Sequence, residues 1–461
     1  MKIAVIGTGF VGITQGACLA EVGHDVVCVD NNASRIREYL DFCESRGNIP
    51  IHEPRLDELI LKAYRANNLI FSSESERVIR ESDLVYICVG TPPLDSKNKK
   101  SAADLRYVYG VANEIGRVLG EYPSYKIIVD KSTVPVGTAK RVEDILRRYT
   151  DCEFDVVSNP EFLAEGTAVR DCRAPSRVVV GARSSKAINI LREIYAPFLR
   201  SHPQDFFAMS PESAELAKYA ANTNLAMQVV LANIFANLAR KVGADWNEIK
   251  PAVLADPRIG RFVHPGLGFG GSCFRKDVSE VLHMLEEAEV AAVDSKLIEL
   301  GLDQNEYQKL ELNRRIHSLY GEDLSGRTFG VWGLSFKHNT SDLRDAASLE
   351  VIPDLVRRGA KVIAHDPAVS PEEFLYEMRV LDVDTRNLTF VSDRYDAANN
   401  ADGLMILVEW SDYRTLNFDT LRREMKTRTI YDGKDILEIS SVMREGFNYY
   451  SIGRRDFIAG I

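Results

Sequence analysis

Gly7-Thr8-Gly9-Phe10-Val11-Gly12 follows a short apolar run at residues 2–6 and leads into apolar residues at helical spacing through residue 22. The next apolar run, 26–29, ends in Asp30. A G-x-G-x-x-G pattern alone is weak. Here a strand precedes it, a helix follows, and an acid closes the second strand, the context of a dinucleotide-binding βαβ unit. The turn's amides and the helix N-terminus would hold a pyrophosphate. Asp30 would accept hydrogen bonds from the adenosine ribose and repel a 2′-phosphate, which points to NAD rather than NADP.

Further βα units extend from this turn. Residues 83–89 read as a buried strand ending in Gly90-Thr91-Pro92-Pro93, and 126–129 as another ending in Asp130-Lys131-Ser132-Thr133-Val134-Pro135. In a parallel sheet ligands gather at the strands' carboxyl ends, so Thr91 and Thr133 face the crevice of the glycine turn. A strand at 154–157 delivers Asn159-Pro160-Glu161-Phe162-Leu163-Ala164-Glu165-Gly166, whose two carboxylates would share a face if the segment were helical. Lys97-Asn98-Lys99-Lys100 reads as a solvated loop without a role.

Ser210-Pro211-Glu212 opens the longest helical pattern, which runs through residue 239 and stops near Gly243. It reads as a connecting helix and a subunit contact. Lys218 and Asn222, one turn apart on it, would present an ammonium and an amide suited to polarising an oxygen at a reacting carbon. A second α/β region begins at 327, with strands at 328–332, 361–364, 402–408 and 429–431 and a helix at 348–358. Its residues 359–366 repeat the pattern of 23–30 without the glycine fingerprint, so a similar sheet without a second dinucleotide is expected. Its loop 336–344 carries Lys337 and Arg344, cations suited to phosphate oxygens. The predicted fold is therefore α/β: two Rossmann-type domains with mainly parallel sheets, joined by a long central helix. The expected divisions are a cofactor domain at 1–200, a helical segment with a cysteine loop at 201–310, and a second Rossmann-like domain at 311–461.

That cysteine loop is Gly268-Phe269-Gly270-Gly271-Ser272-Cys273-Phe274-Arg275-Lys276-Asp277. The glycines would let a ligand approach the backbone closely. With Ser272 as N-cap and apolar residues at 278, 281, 282 and 285, Cys273 falls in a first helical turn. The helix dipole, Arg275 and Lys276 would favour its thiolate, and Asp277 would lie on the same face to orient a partner or a water.

Composition narrows the class. The 461 residues exceed one core, and 45% hydrophobic with 27% charged residues is an ordinary globular balance. A net charge of -10 argues against nucleic acid or an anionic membrane surface as partner. Seven cysteines without a C-x-x-C pair read as reduced thiols of a cytoplasmic protein, and the eight histidines show no metal-ligand spacing. No signal peptide or membrane span is apparent.

Over essentially its whole length the chain resembles the UDP-glucose/GDP-mannose dehydrogenases. The resemblance is carried by Gly7 to Gly12 with Asp30, the segments 131–135 and 159–166, Lys218 with Asn222, Arg258-Ile259-Gly260, the loop 268–277, and 336–344. It implies a homodimer or higher oligomer that oxidises a sugar C6 alcohol twice with NAD. Cys273 would form a thiohemiacetal and then a thioester, with Lys218 and Asn222 stabilising the tetrahedral oxygen. Glu161 would be the base for thioester hydrolysis, with Thr133 and Asp277 positioning the water. By the same resemblance, Phe162, Leu163, Ala164 and Glu165 cradle the substrate, and Arg258, Phe269, Gly270, Phe336, Lys337 and Lys434 meet it. Gly7, Gly9, Phe10, Val11, Gly12, Asp30, Thr91 and Thr133, with Arg35, Glu165, Lys276 and Arg344, lie toward NAD. Arg275 stands where the family often has proline or glutamine. Lys434 replaces a usual arginine and cannot make a bidentate guanidinium contact. The Gly-Phe-Gly-Gly-Ser-Cys-Phe form favours UDP-glucose over UDP-N-acetylhexosamine or GDP-mannose. Two other readings stay open: a two-electron β-hydroxyacid-type dehydrogenase using Lys218 and Asn222 without a nucleophile, and a non-catalytic NAD-dependent sensor.

Overall fold

The computed structural model describes residues 1–95, 98–260 and 262–459; Lys97 of the basic run lies outside them. The chain forms two compact units, 1–221 and 222–461, and the boundary falls within the helix Pro211–Val242. The Ser210 hydroxyl caps that helix by accepting the Ser213 amide at 3.2 Å, Pro211 opens it, and Gly243 follows its last residue at φ +82°.

In the first unit eight strands form one sheet: β1 (Lys2–Ile6), β2 (Asp25–Val29), β3 (Leu69–Ser72), β4 (Leu84–Ile87), β5 (Lys126–Asp130), β6 (Phe154–Ser158), β7 (Val178–Gly181) and β8 (Phe206–Met209). Their order is β3-β2-β1-β4-β5-β6-β7-β8, parallel except where β6 meets β7. Successive side chains of a strand face opposite sides, and both sides are covered. Ile3, Val5, Ile127 and Val129 enter one core; Ala4, Ile6 and Ile128 enter the other. Each of the valines and isoleucines contributes about 1.5–3 kcal/mol by leaving water. Strand order reverses at β1, which puts the loops after β1, β4 and β5 around one crevice.

The second unit carries a fully parallel six-stranded sheet of β9 (Thr328–Trp332), β10 (Lys361–His365), β11 (Leu388–Phe390), β12 (Gly403–Ile406), β13 (Thr429–Asp432) and β14 (Asn448–Ser451), ordered β11-β10-β9-β12-β13-β14. The repeated sequence phrase is a repeated structure. Gly7 (φ +100°) donates its amide to Val29 O at 2.7 Å, and Gly333 (φ +95°) donates to His365 O at 2.8 Å. Thr8 N donates to Asp30 Oδ2 at 2.9 Å, and Leu334 N to Asp366 Oδ2 at 2.7 Å. Asp366 further accepts from Ser335 N, Trp410 Nε1, Ala368 N and Val369 N. Its lone pairs are thus committed within the protein, whereas Asp30 takes two donors from Thr8 and one from Asn32.

Two local expectations are corrected. Residues 161–167 are turn and loop rather than helix, so Glu161 and Glu165 do not share a helical face. The physical reason is that two carboxylates take the loop's amides: Glu161 accepts the Leu163 amide at 2.6 Å, and the sequence-distant Glu53 takes the amides of Gly166 (2.6 Å) and Ala168 (2.8 Å), so the helix Ala168–Arg173 starts later. In the cysteine loop the helix is Phe274–Glu287, and Cys273 itself, not Ser272, occupies the N-cap without a side-chain cap bond.

Candidate active site

The glycine turn has the shape a dinucleotide needs. A Cβ on Gly12 would stand 1.9 Å from Gly7 O, so this position packs turn against helix, whereas a Cβ on Gly9 would meet nothing within 4 Å. The helix Phe10–Glu21 begins at Gly9 with no side-chain cap, which leaves its first amides available to a pyrophosphate. Phe10 and Val11 are half-buried at its start, and Arg35 is exposed in the first turn of the helix Ala33–Cys43, beyond Asp30. Across the crevice the Thr91 hydroxyl donates to Thr133 O at 2.8 Å, joining the two threonine loops.

Beyond β6 the first unit assembles a buried charge pair. Lys218 Nζ donates to Glu161 Oε1 at 2.8 Å, and both side chains are nearly sealed from water, 4% and 6% exposed. Burial pushes the Glu161 carboxyl up, but the Lys218 ammonium and the Leu163 amide outweigh it and hold the pKa below the usual glutamate value. Two cations lie near the Phe162 ring, Arg177 at 3.9 Å and Lys218 at 5.3 Å from its centre. Leu163 and Glu165 are half-buried, and Ala164 is exposed.

In the second unit Asn222 Nδ2 donates to Asp277 Oδ2 at 2.6 Å, and Lys276 holds Asp277 Oδ1. Asp277 is completely buried; Cys273 is half-buried, with its Sγ 3.4 Å from the Ser272 hydroxyl. The cations expected to act on the thiol are otherwise engaged: Arg275 pairs with Glu306 at 3.0 Å and Asp345 at 3.4 Å, and Lys276 with Asp277. The glycines also differ from expectation. A Cβ on Gly270 would stand 2.3 Å from Asp345 O, and one on Gly271 (φ +87°) 2.7 Å from the Phe336 ring. They make room for the protein's own loop 336–345, to which Gly271 N is bonded through Arg344 O at 2.8 Å. Phe269 is buried and meets Phe274 edge-on at 5.6 Å.

Lys337 lies 5.3 Å from the Phe336 ring centre. Arg344 and Arg258 form exposed pairs with Asp342 and Asp256, each two residues away, at 2.6 and 2.5 Å. Lys434 pairs with Glu409 Oε2 at 3.1 Å, while His338 Nδ1 lies 3.1 Å from Glu409 Oε1. Burial raises Glu409, yet Lys434 and His338 hold it well below the carboxylate range. Glu409 is absent from the sequence reading although it follows a strand end, the signal that would have found it. Lys131, quoted within the segment 131–135 but given no role of its own, is buried just after β5.

This arrangement has relatives. The UDP-glucose/GDP-mannose dehydrogenase family's NAD binding domain matches residues 1–199, its central domain 212–307 and its UDP binding domain 330–439. The chain is 40% identical over 456 residues to UDP-glucose 6-dehydrogenase TuaD of Bacillus subtilis, covering 98% of this chain and 93% of that one. It is 39% identical over 461 residues to the UDP-glucose 6-dehydrogenase of Rhizobium meliloti, covering 99% and 100%. A solved UDP-glucose dehydrogenase from Pyrobaculum islandicum superposes with a TM-score of 0.85 at 32% identity, over 98% of this chain and 97% of that one. With matching domains along its length and the turn built for a dinucleotide, the chain belongs to the UDP-glucose/GDP-mannose dehydrogenase family and binds NAD through its N-terminal domain.

Proposed function

We propose that the chain is an NAD-dependent UDP-glucose 6-dehydrogenase that converts the C6 alcohol of UDP-glucose to a carboxylate in two oxidations. NAD+ supplies the hydride acceptor for each. The observation that carries the residue assignment is that Lys218 and Asn222, one turn apart on a single helix, each donate to a buried carboxylate, Glu161 and Asp277. An ammonium has three donors and an amide nitrogen two, so both can serve an oxygen of the substrate as well.

After the first oxidation the Cys273 sulfur bonds to the aldehyde carbon, and Lys218 and Asn222 stabilise the resulting oxyanion of the thiohemiacetal. The second oxidation leaves a thioester on the same sulfur. Glu161 then takes a proton from water as its oxygen bonds to the thioester carbon; the carbon–sulfur bond breaks and the Cys273 thiolate leaves. Thr133 and Asp277 position that water. Lys337, Arg258, Phe336, Phe269, Gly270, Lys434 and the 162–165 backbone hold the nucleotide sugar, and Arg35, Thr91, Glu165, Lys276 and Arg344 act toward NAD. We assign 1–200 to the cofactor, 201–310 to assembly and the cysteine, and 311–461 to the nucleotide sugar, divisions the family matches support.

Assembly as a homodimer or higher oligomer is favoured by the apolar face of the long helix at Leu231, Ile234, Phe235, Leu238 and Val242, all strongly exposed. Seven cysteines, all free thiols, favour a cytoplasmic enzyme. The test is a panel of UDP-glucose, UDP-N-acetylglucosamine and GDP-mannose with NAD+, counting NADH per sugar. Two NADH per UDP-glucose are expected. One NADH would support two-electron chemistry instead, and none with any sugar a sensor.

A further inference from the structure

Lys131 holds a buried charge that the reaction scheme above does not use. Its ammonium donates to Asn159 Oδ1 at 3.2 Å and to the Tyr195 hydroxyl at 3.3 Å, and stands 5.6 Å from the Tyr195 ring centre. Among the described residues no carboxylate pairs with it directly, and its partners are neutral. Burial pulls its pKa down to about 8, so keeping the proton there is costly. An apolar side chain of similar length would avoid that cost.

What the ammonium fixes is the approach to Glu161. Asn159 is completely buried: its side-chain amide donates to Val179 O at 2.7 Å, its backbone amide to Asp130 O at 2.8 Å, and its Oδ1 also accepts the Tyr195 hydroxyl at 2.6 Å. Only Pro160 separates it from Glu161. Lys131 therefore ties the end of β5 to the loop that delivers the carboxylate. The second link is charge, because Glu161 is stabilised by Lys131 as well as by Lys218. When Lys218 turns its positive charge to an oxyanion, its hold on Glu161 weakens. A neighbouring cation that stays in place limits that loss.

We propose that Lys131 is a positioning residue for thioester hydrolysis: it fixes segment 159–161 and stands as a second cation beside Glu161 while Lys218 serves the reacting oxygen. This rests on the assignment of Glu161 as the water-activating base. The groups facing this pair are Lys218 from the long helix, Arg177 before β7, Cys88 after β4, Cys172 from the helix Ala168–Arg173, and Tyr195 with Tyr86 beside it. Burial raises Cys88, Tyr195 and Tyr86, which keeps them neutral at neutral pH.

The test follows the NADH burst and the subsequent steady rate with UDP-glucose across pH, in wild type, Lys131→Met, Lys131→Gln, Lys131→Arg and Glu161→Gln. Removing a cation makes a carboxylate harder to ionise, so its pKa rises. Lys131→Met and Lys131→Gln should keep a burst of two NADH per site, while the acid limb of the steady rate moves up by roughly one pH unit, the low end of a neighbouring cation's effect. Lys131→Arg, which keeps the charge, should restore the limb. If Lys131→Met does not fold, Lys131→Gln, which can still bond Asn159, carries the comparison. An unmoved acid limb overturns the proposal, as does an equal fall of burst and steady rate at every pH, or failure of arginine to restore. Undiminished hydrolysis in Glu161→Gln would instead overturn the assignment of the base, and is read from that variant alone.

Discussion

Charge pairing at single residues decides which groups can act. The ammonium of Lys218 neutralises a buried carboxylate at rest, and in the proposed reaction it also meets an oxyanion. Lys218→Met should therefore lower kcat by about 10²–10³, the usual loss of an oxyanion donor, and destabilise the fold by about 3–5 kcal/mol because the buried Glu161 loses its ion-pair partner. Steady-state kinetics and thermal melts check both. Glu161→Gln gives the pH dependence. The folded-state pKa of Glu161 lies below its unfolded value, so the stability it supplies is full above the ordinary glutamate range and is lost as pH falls through the lowered value. The melting-temperature gap between wild type and Glu161→Gln should accordingly close on acidification. Glu161, Lys218 and Cys273 were singled out from strand ends, helix spacing and the glycine run. Their partners were not: Arg275 finds Glu306 and Asp345 at separations of 31 and 70 residues, which no local pattern encodes.

Elements matter here through what they leave at their ends. Gly271 sits at positive φ with the Phe336 ring where a Cβ would go. Gly271→Ala should cost about 1–2 kcal/mol for the backbone alone and more for the overlap, with activity falling as the cysteine loop leaves the 336–345 loop. Adding Phe336→Ala should recover the steric part of the stability and not the backbone part, which differential melts resolve. At the end of β5, Asp130 is fully buried, and burial together with Glu215 raises its pKa well above the ordinary value. A raised acid supports the fold below its unfolded pKa, and that support is lost as pH rises through the folded value. Asp130→Asn should thus raise the melting temperature at neutral pH more than near pH 4, the ordinary range of aspartate. Long apolar strands and the capped central helix were readable from the sequence. The short strands β3, β7, β8, β11 and β14 were not read from it. The 161–167 turn escaped because its shape is set by Glu53, more than a hundred residues away.

At the scale of the molecule, one α/β pattern is used twice with different outcomes. The first copy keeps its glycines, an uncapped helix start and an Asp30 with spare acceptor capacity; the second spends Asp366 on its own amides and on Trp410. That division assigns the cofactor to one unit and agrees with the family's separate NAD and UDP binding domains. The exposed apolar stripe predicts assembly: Phe235→Glu with Leu238→Glu should convert the enzyme to a monomer in light scattering, whereas an unchanged mass would place the interface elsewhere. The most direct test of the covalent route is intact-mass and peptide mapping of Glu161→Gln quenched after mixing with UDP-glucose and NAD+. A UDP-glucuronyl adduct on the Cys273 peptide is expected. Full product release with Cys273 unmodified, or an active Cys273→Ala variant, would contradict it.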